Sequence, residues 1–305
     1  MSASNNQPIL SILLPAYYSG DLLYDAVASI ARQGETRWEL IVCDDGTEGF
    51  CAADVQRRLR ELIPTGNALT VLHHEKNLGT VKNLNSALAQ AKGTWVMTVA
   101  ADDCLADDGV LERLLTLAQQ TEHDWIVSQT ALCDEVLHPL GAPVPTHLDK
   151  TPEALYEKLC LDCFLPASGI LYKADLLKSM GGFDEEYRLV EDWPLFLKLT
   201  RRGVMPEFAP HICVLHRLGG VSTRHAGKNQ TYQQDLIRVM RTEVLPHLAR
   251  LPKKLCRKTT LQCKDKIALY EYRFETPTPI AKLLWAVSHP GVLLRGMIRR
   301  GKERL

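Results

Sequence analysis

The chain has 305 residues, 46% of them hydrophobic and 24% charged, and its 36 Lys and Arg are matched by 36 Asp and Glu. These totals describe a globular chain able to bury a sizeable core, and a net charge of zero argues against a dedicated nucleic-acid binder. The balance is uneven, since 14 Lys and Arg face 4 Asp and Glu from Arg250 to Leu305, which puts +10 on that tail and −10 on residues 1–249.

The opening octapeptide, MSASNNQP, is polar and lacks the apolar core of a signal peptide, so no secretory leader is expected. Residues 9–15 predict a strand, and 22–33 a helix with Leu23, Ala26, Val27 and Ile30 at helical spacing. The alternation continues with strand 38–43, helix 52–63, strand 69–74, helix 80–91, strand 95–100, helix 109–120 and strand 125–132. Strands separated by helix-length segments predict right-handed βαβ units and a mostly parallel sheet. The strands are continuous apolar runs, as expected when helices cover both faces. Beyond residue 135 the pattern loosens: loop 141–146, a strand, helix and turn in 168–185, a helix starting near Pro194, and a strand from 211 running into a glycine-rich loop. Residues 229–305 predict a helical, basic appendage.

Nine cysteines, an odd number scattered through apolar runs, fit reduced cytoplasmic thiols better than a disulfide framework. Cys160 and Cys163 form a lone CxxC that reads as part of a helix. No apolar run reaches the roughly 18–20 residues of a membrane span.

In open α/β sheets ligands bind outside the carboxyl ends of the strands. Two predicted strands end there in acid pairs, Asp44-Asp45 before Gly46 and Asp102-Asp103. Each pair has a plain reading: a turn at Asp45-Gly46, and a capping loop leading to Asp107 and Asp108. Two pairs on one rim point further. Adjacent carboxylates ionise more readily beside a cation, and neither pair has a Lys or Arg neighbour along the chain. Oxygen ligands favour Mg²⁺ or Mn²⁺, ions held by one or two carboxylates plus substrate phosphates. A metal and a diphosphate-bearing ligand are therefore expected. There is no GxxxxGK[ST] loop, and the first strand runs into PAYYSGD rather than GxGxxG.

With these features the sequence resembles the inverting family 2 glycosyltransferases of the GT-A fold, over roughly residues 9–222. The segments SILLPAYYSGD, ELIVCDDGT, NLGTVKNLNSALAQAKGTWVMTVAADD, GGFDEEYRLVEDWPLFLKL and LHRLGGVS fall in that family's order. The resemblance implies a nucleotide-diphospho-sugar transferase domain over 1–228, with a nucleotide-sugar half to about residue 135 and an acceptor half from there. It implies a UDP- or dTDP-type sugar donor, a glycan or lipid-linked acceptor, Mn²⁺ or Mg²⁺, and inversion. Asp45 becomes the acid contacting the base, with Pro15 and Tyr17 lining that pocket. Asp102 contacts the ribose or a metal-bound water, and Asp103 ligates the metal. Lys82 and Asn85 mark the nucleotide-facing helix. Asp192 becomes the general base, with Glu191 and Trp193 beside the acceptor. Adjacent helical residues point about 100° apart, so Glu191 and Asp192 cannot both face the acceptor from a helix.

The sequence departs from the pattern at Tyr18, Ala100 and Leu84, where the family often has Asn, an acid and Arg. Gly219 stands where a metal-ligating His is common, leaving His216 or His225 as third-ligand candidates. A sugar-nucleotide pyrophosphorylase would need a glycine- and base-rich first loop; a non-catalytic nucleotide-sugar binding module would have no use for the EDWP segment. In the tail, Ile280, Leu283, Leu284 and Val287 form one apolar helical stripe. Leu294, Met297 and Ile298 form a second face, opposite Arg295, Arg299 and Lys302. These helices either answer the acidic body or lie on an anionic membrane with Trp285 at headgroup depth, which would place a cytoplasmic enzyme at the inner face of the cell membrane.

Overall fold

The computed structural model describes residues 8–35, 37–219, 229–274, 285 and 287–288. The chain divides into two compact units, residues 1–226 and 227–305.

The first unit is built on one eight-stranded sheet. Its strands in chain order are β1 Leu10–Ala16, β2 Trp38–Asp44, β3 Ala68–His73, β4 Trp95–Thr98, β5 Cys104–Leu105, β6 Trp125–Cys133, β7 Leu171–Lys173 and β8 Glu207–Arg217. The spatial order is β3-β2-β1-β4-β7-β6-β8-β5. β3, β2, β1 and β4 run parallel to one another, in the βαβ arrangement that the alternating sequence predicts. The connecting helices are α1 Leu22–Ala31, α2 Ala52–Leu62, α3 Thr80–Leu88 and α4 Val110–Gln120. Leu10, Ile12 and Leu14 of β1 join Ala26, Val27 and Ile30 of α1 and Leu111 and Leu114 of α4 in one core. Alternate side chains of a strand point to opposite faces. The odd positions Ser11 and Leu13 are likewise fully buried.

Beyond β4 the sheet is mixed. β7 enters between β4 and β6, antiparallel to both, and the short β5 pairs antiparallel with β8. Their helices are α5 Pro152–Leu159, α6 Ala174–Ser179 and α7 Asp192–Arg201. Trp125 of β6 stacks between Tyr172 of β7 and Phe196 of α7, with ring centroids 6.2 and 5.6 Å away.

Pro15 sits inside a central strand, where a missing N–H is normally costly. The carbonyls of Leu13 and Pro15 both accept bonds on the β4 side, from Val99 and Ala101. The paired register of β1 with β4 ends at Leu13 and Thr98, because Pro15 has no N–H to continue it, although its carbonyl still holds the Ala101 amide. The acids follow directly after Ala101.

The second unit, within its described residues, is helical: α8 Gln230–Val239, a π turn Met240–Val244, a 3₁₀ turn Leu245–Arg250 and α9 Lys253–Phe274. Asn229 caps α8, its side chain accepting from the Tyr232 amide. Trp285 stacks on Tyr272 at 4.5 Å, and Val287 is 72% exposed. Ile280, Leu283, Leu284, Leu294, Arg295, Met297, Ile298, Arg299 and Lys302 lie outside the described residues, as does His225. Among the described residues no helix is long and apolar enough to cross a membrane.

Candidate active site

The chain leaves β4 through Val99-Ala100-Ala101 and delivers Asp102 half-buried and Asp103 fully buried. Along the sequence this pair has no basic neighbour; among the described residues two stand beside it in space. The antiparallel pairing Cys104↔Leu215 and Leu105↔Val214 carries His216 and Arg217 of β8 up beside it. Asp103 Oδ1 lies 2.9 Å from His216 Nδ1 and accepts the Arg217 amide at 3.3 Å. The Arg217 guanidinium donates to the Asp102 carbonyl at 2.9 Å, to the Glu135 carbonyl at 3.2 Å and to Asp25 Oδ2 of α1 at 3.2 Å. The basic groups that the sequence does not place beside the acids come from a distant strand. Neither His216 nor Arg217 is a free surface side chain, and the signal for both is a strand pairing that no local pattern announces.

The neutralisation is incomplete. Asp103 Oδ2 is buried without a hydrogen-bond partner, a costly state for a carboxylate oxygen. Burial raises the Asp102 pKa, with the Asp103 charge adding to it and His216 and Arg217 opposing. For His216, burial works against the charged ring, but the hydrogen bond and charge of Asp103 outweigh it and the pKa is raised. Among the described residues no three His, Cys, Asp or Glu side chains are grouped to hold a metal ion. What is present still fits a hard divalent cation: an orphaned carboxylate oxygen with a second acid beside it, the remaining ligands being phosphate oxygens and water.

The acid pair of β2 is disposed differently. Asp44 is 1% exposed; its Oδ2 accepts the Thr47 amide at 2.8 Å and pairs with His73 Nδ1 at 2.9 Å. Asp45 binds the backbone entering α3, its two oxygens accepting the Leu78 and Gly79 amides at 2.7 and 2.9 Å. Gly79 has φ +94°, and a Cβ there would lie 2.4 Å from Arg188 Cγ, so this close crossing requires glycine. Pro15 is half-buried at the end of β1, and beyond it Tyr17 and Tyr18 stand exposed, 51% and 60%, edge to face at 4.7 Å. Tyr18 has φ +49°, the left-handed region that suits an Asn, and its amide is tied to Thr47 Oγ1 at 2.9 Å.

Two expected nucleotide or acceptor contacts are turned elsewhere. Asn85 spends its amide on the loop after α6: Nδ2 donates to the Phe183 carbonyl at 2.8 Å and Oδ1 accepts the Phe183 amide at 2.9 Å. Trp193 is 3% exposed, its indole N–H donating to the Leu159 carbonyl at 2.8 Å, so it joins α7 to α5 instead of lining a pocket. Large apolar side chains at the start of a helix turn into the core; only the neighbouring carboxylates stay at its rim. Lys82 is half-exposed on α3, 4.0 Å from Glu185.

Asp192 is the first residue of α7 and Glu191 its N-cap; both are half-buried. Burial raises the Asp192 pKa, with its hydrogen bonds from the Trp193 amide and the Cys163 thiol pulling the other way. A single segment links this acid to the acid turn of β4. At one end Cys163 Sγ lies 3.7 Å from Asp192 Oδ2. At the other, the Ala167 carbonyl accepts Thr98 Oγ1 at 2.8 Å, the Ala100 amide donates to Ser168 Oγ at 3.4 Å, and the Gly169 amide donates to the Thr98 carbonyl at 2.8 Å.

A parallel βαβ half carrying paired acids at its strand ends, continued into a mixed half that carries a further buried-side acid, defines a GT-A-type α/β glycosyltransferase fold. A model of Glycosyl transferase family 2 matches residues 11–179, and the chain belongs to that family. It is 21% identical over 207 residues to an Escherichia coli (strain K12) glycosyl transferase named for colanic acid biosynthesis, WcaA, covering 64% of this chain and 67% of that one. Among solved structures it resembles Staphylococcus aureus TarS 1–349 in complex with UDP-GlcNAc, with a TM-score of 0.58, 17% identity, and 87% and 92% of the two chains covered. It also resembles the mannosyltransferase PcManGT of Pyrobaculum calidifontis in complex with GDP-Man and Mn²⁺, with a TM-score of 0.56, 17% identity, and 94% and 81% covered.

Proposed function

We propose that this chain transfers a sugar, with inversion, from a UDP- or dTDP-type nucleotide sugar to a hydroxyl of a glycan or lipid-linked acceptor in cell-envelope polysaccharide synthesis. The observation that carries the reading is the orphaned, buried Asp103 Oδ2 at the carboxyl end of β4, where an α/β sheet binds its ligand. The E. coli relative's name supports the acceptor class, and the two solved complexes support nucleotide-sugar binding on this fold.

Asp103 Oδ2 and the Asp102 carboxylate would hold Mn²⁺ or Mg²⁺, which when bound supplies Lewis-acid stabilisation of the departing diphosphate. His216 and Arg217 fix the acids that hold it. Tyr17 and Pro15 form one wall of the base pocket. Asp45 shapes its floor by holding Leu78 and Gly79, and touches the base only through lone pairs those amides leave free. Lys82, exposed on α3, meets diphosphate charge. Asp192 takes the acceptor proton as the hydroxyl attacks the anomeric carbon opposite the leaving group, and a single displacement inverts that centre. A carboxylate whose pKa is raised by burial is a stronger base than an ordinary one, which suits the role. Glu191, beside it at the helix start, borders the acceptor.

Calorimetry with UDP, dTDP and GDP sugars, in Mn²⁺ and in EDTA, tests the reading. Binding of a uridine or thymidine donor only with metal is expected; equally tight binding in EDTA overturns the metal role.

A further inference from the structure

We infer that Cys163 is a positioning residue for the Asp192 carboxylate, and that the segment Cys163 heads, through Gly169, holds that carboxylate in register with the acid turn of β4. Its catalytic meaning rests on the general-base reading of Asp192; its geometry does not.

The CxxC is not a disulfide: Cys160 and Cys163 are both in the thiol form, and Cys160 is buried at the C-cap of α5. Cys163 lies one step beyond, where its Sγ reaches Asp192 Oδ2 at 3.7 Å and the Leu165 carbonyl at 3.9 Å. Burial, followed by the Asp192 charge, pushes the thiol well above its ordinary range, so it keeps the proton it donates. Asp192 Oδ1 takes the Trp193 amide at 2.7 Å, which fixes one oxygen from within the helix. The thiol fixes the other from outside it. Cys163 on the segment and Tyr172 on β7 both feel the Asp192 charge, while Asp162 and Glu191 act on the Cys163 thiol. The Trp193 amide and the Cys163 thiol are the hydrogen bonds that oppose burial at Asp192, so the thiol carries weight in setting that carboxylate.

The far end of the segment is gripped at three successive residues, Ala167, Ser168 and Gly169, by Thr98 and Ala100 immediately before the acid turn. A six-residue step from Cys163 to Gly169 therefore spans from the acid that takes a proton to the acids that face the leaving group. In-line displacement needs those two ends at a fixed separation, and misplacement of about 1 Å is costly.

The test reads the carboxylate directly and needs no substrate. In full-length protein carrying ¹³C-carboxyl Asp, the Asp192 resonance is assigned by its loss in Asp192→Asn and followed against pH. Cys163→Ala and Cys163→Val both remove the donor, and Val roughly keeps the volume. Each is expected to move the Asp192 midpoint upward by about half a pH unit, the scale of a weak hydrogen bond to an anion. Cys163→Ser restores a donor and is expected to bring the midpoint back to the wild-type value or below. An unchanged midpoint in Ala and Val, or Ala shifted while Val behaves as wild type, overturns the inference and leaves Cys163 a packing residue. Since turnover of Asp192→Asn tests the base reading separately, the two ideas fail by different measurements.

Discussion

At the scale of single residues the site is a set of carboxylates held in unequal states. Asp103 has one oxygen satisfied and one orphaned. Replacing it by Asn removes the charge, leaves an amide where the cation should sit, and is expected to abolish metal-dependent donor binding; titrating the variant with UDP in Mn²⁺ measures this. Asp192 makes a different prediction. Its folded pKa is raised by burial, so folding favours its protonated form: the stability it contributes is present below the unfolded pKa and lost as pH rises through the folded one. Catalysis needs the opposite state. Activity is expected to climb with pH along an acid limb above the ordinary carboxylate range. Asp192→Asn is expected to lose about 10²–10⁴-fold in transfer while melting no lower than wild type near neutral pH. A variant that transfers at wild-type rate removes Asp192 from the mechanism.

At the scale of elements, what matters is which surfaces the strands and helices bring together, and here the sequence was readable in order and pairing in the first half and only as separate elements in the second. β1 to β4 and α1 to α4 follow from apolar runs and helical spacing because each βαβ unit closes on itself. The acids were visible too, since they interrupt apolar strands. β7 lies in the strand expected within 168–185, but its insertion between β4 and β6 was not legible, and β5 could not be read at all: two residues long, it exists because distant chain pairs with it. With it went the placement of His216 and Arg217. Asn85 shows the same limit on a helix, where position was legible and direction was not. Its three bonds to Phe183 and Glu185 bind α3 to the loop before α7. A Cβ on Gly182 would meet its Oδ1 at 2.8 Å, so that loop is fitted to the amide. Asn85→Ala is expected to cost roughly 1–3 kcal/mol in chemical denaturation and to leave nucleotide affinity within about twofold, less than the 1.4 kcal/mol of a tenfold change. A large loss of affinity at unchanged stability would restore Asn85 to the nucleotide site.

At the scale of the whole chain, charge is the organising observation. Residues 1–249 carry −10 and the remainder +10, a separation that no fold of a sheet requires. A sugar transferred to a lipid-linked acceptor must be delivered at a membrane surface, and an acidic body would be repelled from anionic headgroups. A basic tail offsets that repulsion, since each Lys or Arg near such a surface contributes on the order of 1 kcal/mol. Residues 277–305 hold six Lys and Arg against one Glu, together with Trp285. The full chain is therefore expected to sediment with phosphatidylglycerol vesicles at low salt and to remain in solution with phosphatidylcholine. It should be released as ionic strength shortens the screening length from about 30 Å at 0.01 M to about 8 Å at 0.15 M. A chain ending after Thr276 is expected to stay in solution with both. Vesicle binding that ignores headgroup charge would point to apolar insertion in place of charge. Identical behaviour of the two chains would assign residues 277–305 a role within the protein and leave the acceptor to find the enzyme by diffusion.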